Sequence, residues 1–256
     1  MNIEEKKKIT LSLIDTFKKA GDVALDLRKA GLKKEIKSDN TPVSNGDIEV
    51  NKLLLKKISE ITPNIAIVSE ENSAHKKDKN LNNFWLIDPI DGTRDYINNR
   101  DEFTLNAALI FEKKPVIGII TAPGKKRVFY SYGMSNSFEL INNQEINLVN
   151  KEKNYEGIKA VSYSNEIKSE ILEIHNKYQV ASFQKMKSSL KFCVVAASEF
   201  DLYVAEPRAC EWDIAAGHAI LVHAGGKITD FQGNDILYGK QDFKNPSIIA
   251  HNKNII

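Results

Sequence analysis

The sequence predicts a layered α/β (α+β) protein, and three observations carry that reading. An amphipathic helical segment opens the chain, short apolar runs separated by Lys-Pro and Pro-Gly breaks fill its middle, and strands alternate with helices in the second half. With 256 residues, the chain is long enough for one large domain or two lobes sharing an interface.

From Ile9 to about Lys29, Leu13, Ile14, Phe17, Ala20, Ala24 and Leu27 recur at helical spacing, with Gly31 as a stop. Lys37 to Pro42 is polar and reads as a loop. A second helix is expected from Asp47 to about Ser59. Residues 65–68 and 84–87 are short apolar runs ending in acidic residues. Residues 103–111, 115–120 and 127–132 suit a meander of antiparallel strands. The stretch 141–157, rich in Asn, Glu and Lys, is the expected boundary between an N-terminal lobe, 1–150, and a C-terminal lobe, 151–256, in one catalytic unit. Beyond it the pattern predicts a strand near 159–163, a helix at 166–178, a strand at 179–186, a helix at 189–198 and a strand at 201–205. A longer helix is expected from Trp212 to His223, ended by Gly225-Gly226.

Composition narrows the function classes. Hydrophobic residues make up 42% of the chain, ordinary for a folded protein. Lys plus Arg number 36 against 34 acidic residues, a formal charge of +2, which gives no general attraction to nucleic acid or anionic membrane. The basic runs at 6–8, 76–77 and 125–127 read as solvated surface. Cys193 and Cys210 have no CxxC partner and read as reduced thiols. No run resembles a signal peptide or a span of about 20 apolar residues. A cytoplasmic protein is expected, compatible with peripheral contact at the inner membrane.

Acidic residues gather where strands end. Glu70-Glu71 follows one apolar run, Asp88-Pro89-Ile90-Asp91-Gly92-Thr93 follows the next, and Asp213 opens a helix. Each alone has an ordinary explanation: a solvated strand end, a turn, an N-cap. Jointly they point to a hard divalent cation, which takes oxygen ligands from a few carboxylates and a carbonyl, here that of Ile90. Asp-Pro-Ile-Asp is expected to be a tight turn aiming both aspartates at one point. Two metals about 3.5–4 Å apart would clamp a phosphate and activate a water. The N–H groups of Gly92 and Thr93 would face the anion.

The strings Ser69-Glu70-Glu71, residues 85–93 (WLIDPIDGT) and residues 211–217 (EWDIAAG) resemble the three motifs of the inositol monophosphatase-like phosphatases. The resemblance runs from about Lys37 to Gly226. It implies a layered α/β/α/β/α sandwich and a magnesium-dependent, lithium-sensitive phosphomonoesterase holding two or three Mg²⁺ per site, as monomer or homodimer. By the same resemblance, Glu70, Asp88 and the Ile90 carbonyl hold the first metal, and Asp88, Asp91 and Asp213 the second. Asp47 and Thr93 deprotonate the attacking water, which Glu70 helps orient. Glu70, Ile90, Asp91, Gly92, Thr93 and Asp213 also meet the substrate. The Lys37-to-Ser44 loop resembles the family's mobile loop.

Within the family the chain resembles the 3'(2'),5'-bisphosphate nucleotidases, on Lys37–Val43, on Arg94-Asp95-Tyr96-Ile97 with Asp101–Asn106, and on Ser188-Ser189-Leu190-Lys191-Phe192. This implies hydrolysis of the 3'-phosphate of adenosine 3',5'-bisphosphate, a by-product of sulfate assimilation, with Ser188 and Lys191 meeting the second phosphate and ribose. The chain departs from the pattern twice. Val204-Ala205 stands where bacterial relatives carry Pro-Arg, with Arg208 displaced by three positions. Asn45-Gly46 precedes Asp47 and is expected to loosen that helix start. The other readings are an inositol or sugar-phosphate phosphatase with the same metal site, and a non-catalytic phosphometabolite-binding protein. His218 reads as a packed residue rather than a ligand.

Overall fold

The computed structural model describes residues 1–37, 40–71, 78 and 81–255, Asn150 by its backbone only. Ser38 and Asp39 of the expected mobile loop, and the basic pair Lys76-Lys77, lie outside the described residues.

Helix α1 (Ile3–Ala30) starts earlier than its apolar stripe suggests. Asn2 caps it through a reciprocal box: its side chain accepts from Glu5 N at 2.9 Å, and Glu5 Oε2 accepts from Asn2 N at 2.9 Å. The expected stripe of Leu13, Ile14, Phe17, Ala20 and Ala24 is buried. On either side of the segment read as a loop, β1 (Lys34–Ile36) and β2 (Pro42–Ser44) pair as an antiparallel hairpin. Ser44 then caps α2 (Asn45–Ile61). Gly46 sits in the first turn of α2 beneath Tyr96, where a Cβ would stand 2.3 Å from the tyrosine hydroxyl. Its role is close packing rather than looseness.

A seven-stranded sheet follows, in chain order: β3 (Ala66–Ser69), β4 (Phe84–Asp91), β5 (Thr104–Phe111), β6 (Lys114–Ala122), β7 (Arg127–Gly133), β8 (Asn136–Ile141) and β9 (Gln144–Asn147). β3 and β4 are parallel and the later neighbours antiparallel, so the expected meander is present. The polar stretch 141–157 carries β9 in its first half. A short helix, α3 (Thr93–Ile97), links β4 to β5.

The second half supplies β10 (Ile158–Ser162), α4 (Ser169–Lys177), β11 (Val180–Lys185), α5 (Leu190–Ala196), β12 (Leu202–Ala205), α6 (Glu211–His223), β13 (Lys227–Thr229) and β14 (Ile248–His251). The strands form a second sheet in the order β11-β10-β12-β14-β13. Strands β13 and β14 escaped the sequence reading.

Alternation along β4 sorts its side chains between two cores. Trp85 and Ile87 join Leu13, Phe17, Val50 and Leu54 of α1 and α2, while Phe84 and Leu86 join Ile214, Ala215 and Ile220 of α6. Helix α6 is apolar all round because it lies between the sheets. A third core joins Ala160, Leu202 and Val204 of the second sheet to Ile171 of α4. The layers are therefore helix, sheet, helix, sheet, helix, the expected α/β/α/β/α sandwich. No helix among the described residues is long and apolar enough to cross a membrane.

Candidate active site

Asp88 stays in step with Phe84 and Leu86, so β4 directs its carboxylate to the face covered by α6. Glu70 directly follows parallel β3, and its N–H bonds the Ile87 carbonyl at 3.0 Å. Asp213 sits in the first turn of α6, its Oδ2 accepting from Cys210 N at 2.7 Å. Three elements distant in sequence thus deliver carboxylate oxygens of Glu70, Asp88 and Asp213 to within 4.8 Å of one another.

The expected tight turn between Asp88 and Asp91 is instead a bulged strand. Asp88 pairs with Asn106 and Asp91 with Thr104, three steps on β4 against two on β5. The surplus residue returns Asp91 to the face Asp88 occupies. Asp91 lies outside the closest threesome but lines the same cavity of about 460 Å³.

Crowding raises the proton affinity of all four acids. Burial comes first for Asp88, followed by Glu70, Asp91 and Asp213, and its pKa is pushed well above the usual carboxylate range. Asp213 is pushed up to about 8 by burial, then by Asp91 and Glu70. Burial also raises Glu70 and Asp91, opposed chiefly by Lys37 and Lys191 respectively. Asp88 Oδ1 is buried without a hydrogen-bond partner. An orphaned acceptor among carboxylates is the arrangement a divalent cation satisfies, and the all-oxygen donor set suits a hard ion. Lys37 Nζ stands 3.4 Å from Glu70 and 2.6 Å from Glu71, so the β1–β2 hairpin is tied to the acidic cluster.

After the bulge, Gly92 adopts φ 94° and caps α3; a Cβ there would meet the Glu102 carbonyl at 3.0 Å. Thr93 Oγ1 is 3.1 Å from Asp47 Oδ1 and 3.0 Å from the Ile90 carbonyl. The other oxygen of Asp47 accepts from Ser44 N at 2.8 Å and Ser44 Oγ at 2.6 Å. This capping box fixes a carboxylate that is only 1% exposed, and burial raises its pKa despite the Ser44 bonds.

On the far wall, Ser188 adopts φ 55° and its carbonyl accepts from Lys191 Nζ. Lys191 is buried with its ammonium 5.2 Å from the Tyr203 ring centre; burial, opposed by Asp91, brings its pKa down to about 8. The contact sequence reasoning missed is Ser189: its N–H donates to Asp91 Oδ2, and its hydroxyl lies 2.7 Å from Asn106 Oδ1 and 2.7 Å from Thr104 Oγ1. A serine just before a helical run was a usable signal. Arg208, despite its displacement, lines this cavity with its guanidinium carbon 3.8 Å from the Tyr163 ring centre. Lys187 and Tyr163 are further lining residues the sequence did not single out. His218 is packed as expected, its Nδ1 2.9 Å from Tyr238 Oη, and neither Cys193 nor Cys210 is in a disulfide among the described residues.

The sequence profile of the inositol monophosphatase family matches residues 5–256. The 3'(2'),5'-bisphosphate nucleotidase CysQ of Buchnera aphidicola subsp. Acyrthosiphon pisum is 36% identical over 206 residues, 79% of this chain and 76% of the relative. The crystal structure of CysQ from Bacteroides thetaiotaomicron, a bacterial member of the same family, superposes with a TM-score of 0.77 at 26% identity, covering 98% of this chain and 99% of the other. An IMPase/NADP phosphatase complexed with Mg²⁺ and phosphate superposes at 0.75 with 19% identity, covering 94% and 90%, a likeness of fold alone.

Proposed function

The chain belongs to the inositol monophosphatase family, and on that premise we propose that it is a 3'(2'),5'-bisphosphate nucleotidase, releasing AMP and phosphate from adenosine 3',5'-bisphosphate. The observation that carries the chemistry is the meeting of Glu70, Asp88 and Asp213 beside the Thr93–Asp47 pair. The substrate class rests on the likeness to proteins named for that activity. Such an enzyme would clear the nucleotide left by sulfate assimilation.

Glu70, Asp88 and Asp213, with Asp91 and the Ile90 carbonyl beside them, would hold Mg²⁺. When bound, the metal neutralises phosphate charge and lowers the pKa of the attacking water. Thr93 Oγ1 accepts a proton from that water while passing its own to Asp47 Oδ1. Asp47 is suited to receive it, because burial raises its proton affinity and Ser44 leaves Oδ1 free for Thr93. Glu70 orients the water. The new P–O bond forms as the bond from phosphorus to the ribose 3'-oxygen breaks, and that oxygen leaves with a proton from solvent. Ser189 holds Asp91 in place throughout.

The test is phosphate release from adenosine 3',5'-bisphosphate and inositol 1-phosphate side by side, with Mg²⁺ and with or without lithium. Preference for the nucleotide, suppressed by lithium, supports the proposal. Preference for inositol 1-phosphate keeps the metal chemistry and overturns the substrate.

A further inference from the structure

The bulge that carries Asp88 and Asp91 has a counterpart on the neighbouring strand. On β5, Asn106 pairs with Asp88 and Thr104 with Asp91. Paired residues of antiparallel strands share a sheet face, their Cβ atoms about 4.5–5.5 Å apart. One hydroxyl joins the two partners: Ser189 Oγ lies 2.7 Å from Asn106 Oδ1 and 2.7 Å from Thr104 Oγ1. All three residues are buried.

The direction of this chain follows from its chemistry. An amide oxygen can only accept, so Ser189 gives its one proton to Asn106 and accepts from Thr104. The Asn106 amide is thereby held with its nitrogen, and both hydrogens, on the side away from Ser189. That nitrogen is buried without a partner, and so is Oδ1 of Asp88, its cross-strand neighbour. Each of the two residues is only 1% exposed, so bulk water reaches neither. An orphaned donor and an orphaned acceptor on paired residues are complementary, and leaving either unused is costly. A carboxylate oxygen has two lone pairs, so an amide donor and a bound cation can share it.

Resting on the metal-site reading above, we propose that Asn106 is a positioning residue of the metal centre. Its amide nitrogen donates to Asp88, directly or across one bridging water, and Ser189 Oγ sets the amide for that task. Ser189 then serves both aspartates of the bulge, Asp91 through its own N–H and Asp88 through Asn106. Acids of the first half of the chain are thus braced by a residue of the second.

The experiment measures calorimetric Mg²⁺ binding and melting of the metal-free protein for wild type, Asn106→Val, Ser189→Ala and the double variant. Valine is near asparagine in size and suits a strand. Losing the hydrogen bond behind a metal ligand should weaken Mg²⁺ binding about 10–100-fold in Asn106→Val. Ser189→Ala keeps the N–H on Asp91 and releases only the amide, so it should weaken binding about fivefold. The double variant should bind within about twofold of Asn106→Val, because both changes act through one amide. At saturating Mg²⁺, KM for adenosine 3',5'-bisphosphate should stay within about twofold of wild type. Metal-free Asn106→Val should melt no lower than wild type, since it removes a buried donor that has no partner. Unchanged Mg²⁺ affinity in Asn106→Val, with or without a lower melting point, makes Asn106 a packing residue and overturns the proposal. Additive losses in the double variant overturn the link through Ser189. A wild type that binds Mg²⁺ but releases no phosphate from the bisphosphate overturns the nucleotidase reading, and the affinity comparison decides this one all the same. Absence of Mg²⁺ binding by wild type overturns both.

Discussion

Replacing Thr93 by Val separates its catalytic from its structural role. Valine keeps the shape of the side chain and deletes the hydroxyl that spans Asp47 Oδ1 at 3.1 Å and the Ile90 carbonyl at 3.0 Å. Asp47 keeps its Ser44 bonds, so its orientation survives. Thr93 is only partly buried, and the groups it leaves can find water. The stability cost is one shared hydrogen bond, about 1 kcal/mol. The kinetic cost is different in size. Removing the group that takes a proton in the transition state costs about 10²–10⁴ in rate, or roughly 3–5 kcal/mol. Steady-state phosphate release and urea unfolding on the same preparations give both numbers. Thr93→Ser, which retains the hydroxyl, should stay within about tenfold of wild type. If Thr93→Val also keeps its kcat within tenfold, Thr93 is a capping residue and the relay is wrong.

Asp88→Asn should abolish turnover and remove the rise in melting temperature that Mg²⁺ gives the wild type, while the apo fold melts no lower; thermal unfolding with and without the ion checks this. Gly46→Ala drives a methyl into the Tyr96 ring and should cost about 1–3 kcal/mol in urea unfolding; an unchanged midpoint would refute the packing argument. His223, whose Nδ1 accepts from Gly133 N at 3.2 Å, has its pKa lowered to about 4 by burial and then by Lys6. Its folded pKa lies below the ordinary value near 6.5, so its contribution is complete above that pH and is lost as pH falls toward 4. Between those limits the wild type should lose about 3 kcal/mol more than His223→Gln, and parallel pH–stability curves would refute it.

Much of this was legible in the residues themselves, and the rest was hidden for identifiable reasons. Apolar runs announced β3 and β4 because both faces of those strands are buried, and the acids that end them stood out against that background. Strands β13 and β14 are short, and nothing local distinguishes residues 227–229 from a loop once their pairing with β14 is removed. The bulge at residues 88–91 was read as a turn because Pro and Gly favour turns. Only the pairing with Asn106 and Thr104 shows that the strand continues. Arg208 and Tyr163, 45 positions apart by their numbering, carry no shared pattern along the chain. Their contact arises from the parallel pairing of β10 with β12, which ends both strands at the same edge of the second sheet.

The bulge in β4 also sets stability against activity. A variant lacking Pro89 or Ile90 could pair two steps against two and recover a regular ladder. It would relieve crowding among the acids in the same stroke. Such a deletion would pass any screen for soluble, heat-resistant protein while destroying the site. Directed evolution of this scaffold for robustness alone would therefore drift toward inert sequences, and a selection that keeps the chemistry must demand turnover at every round.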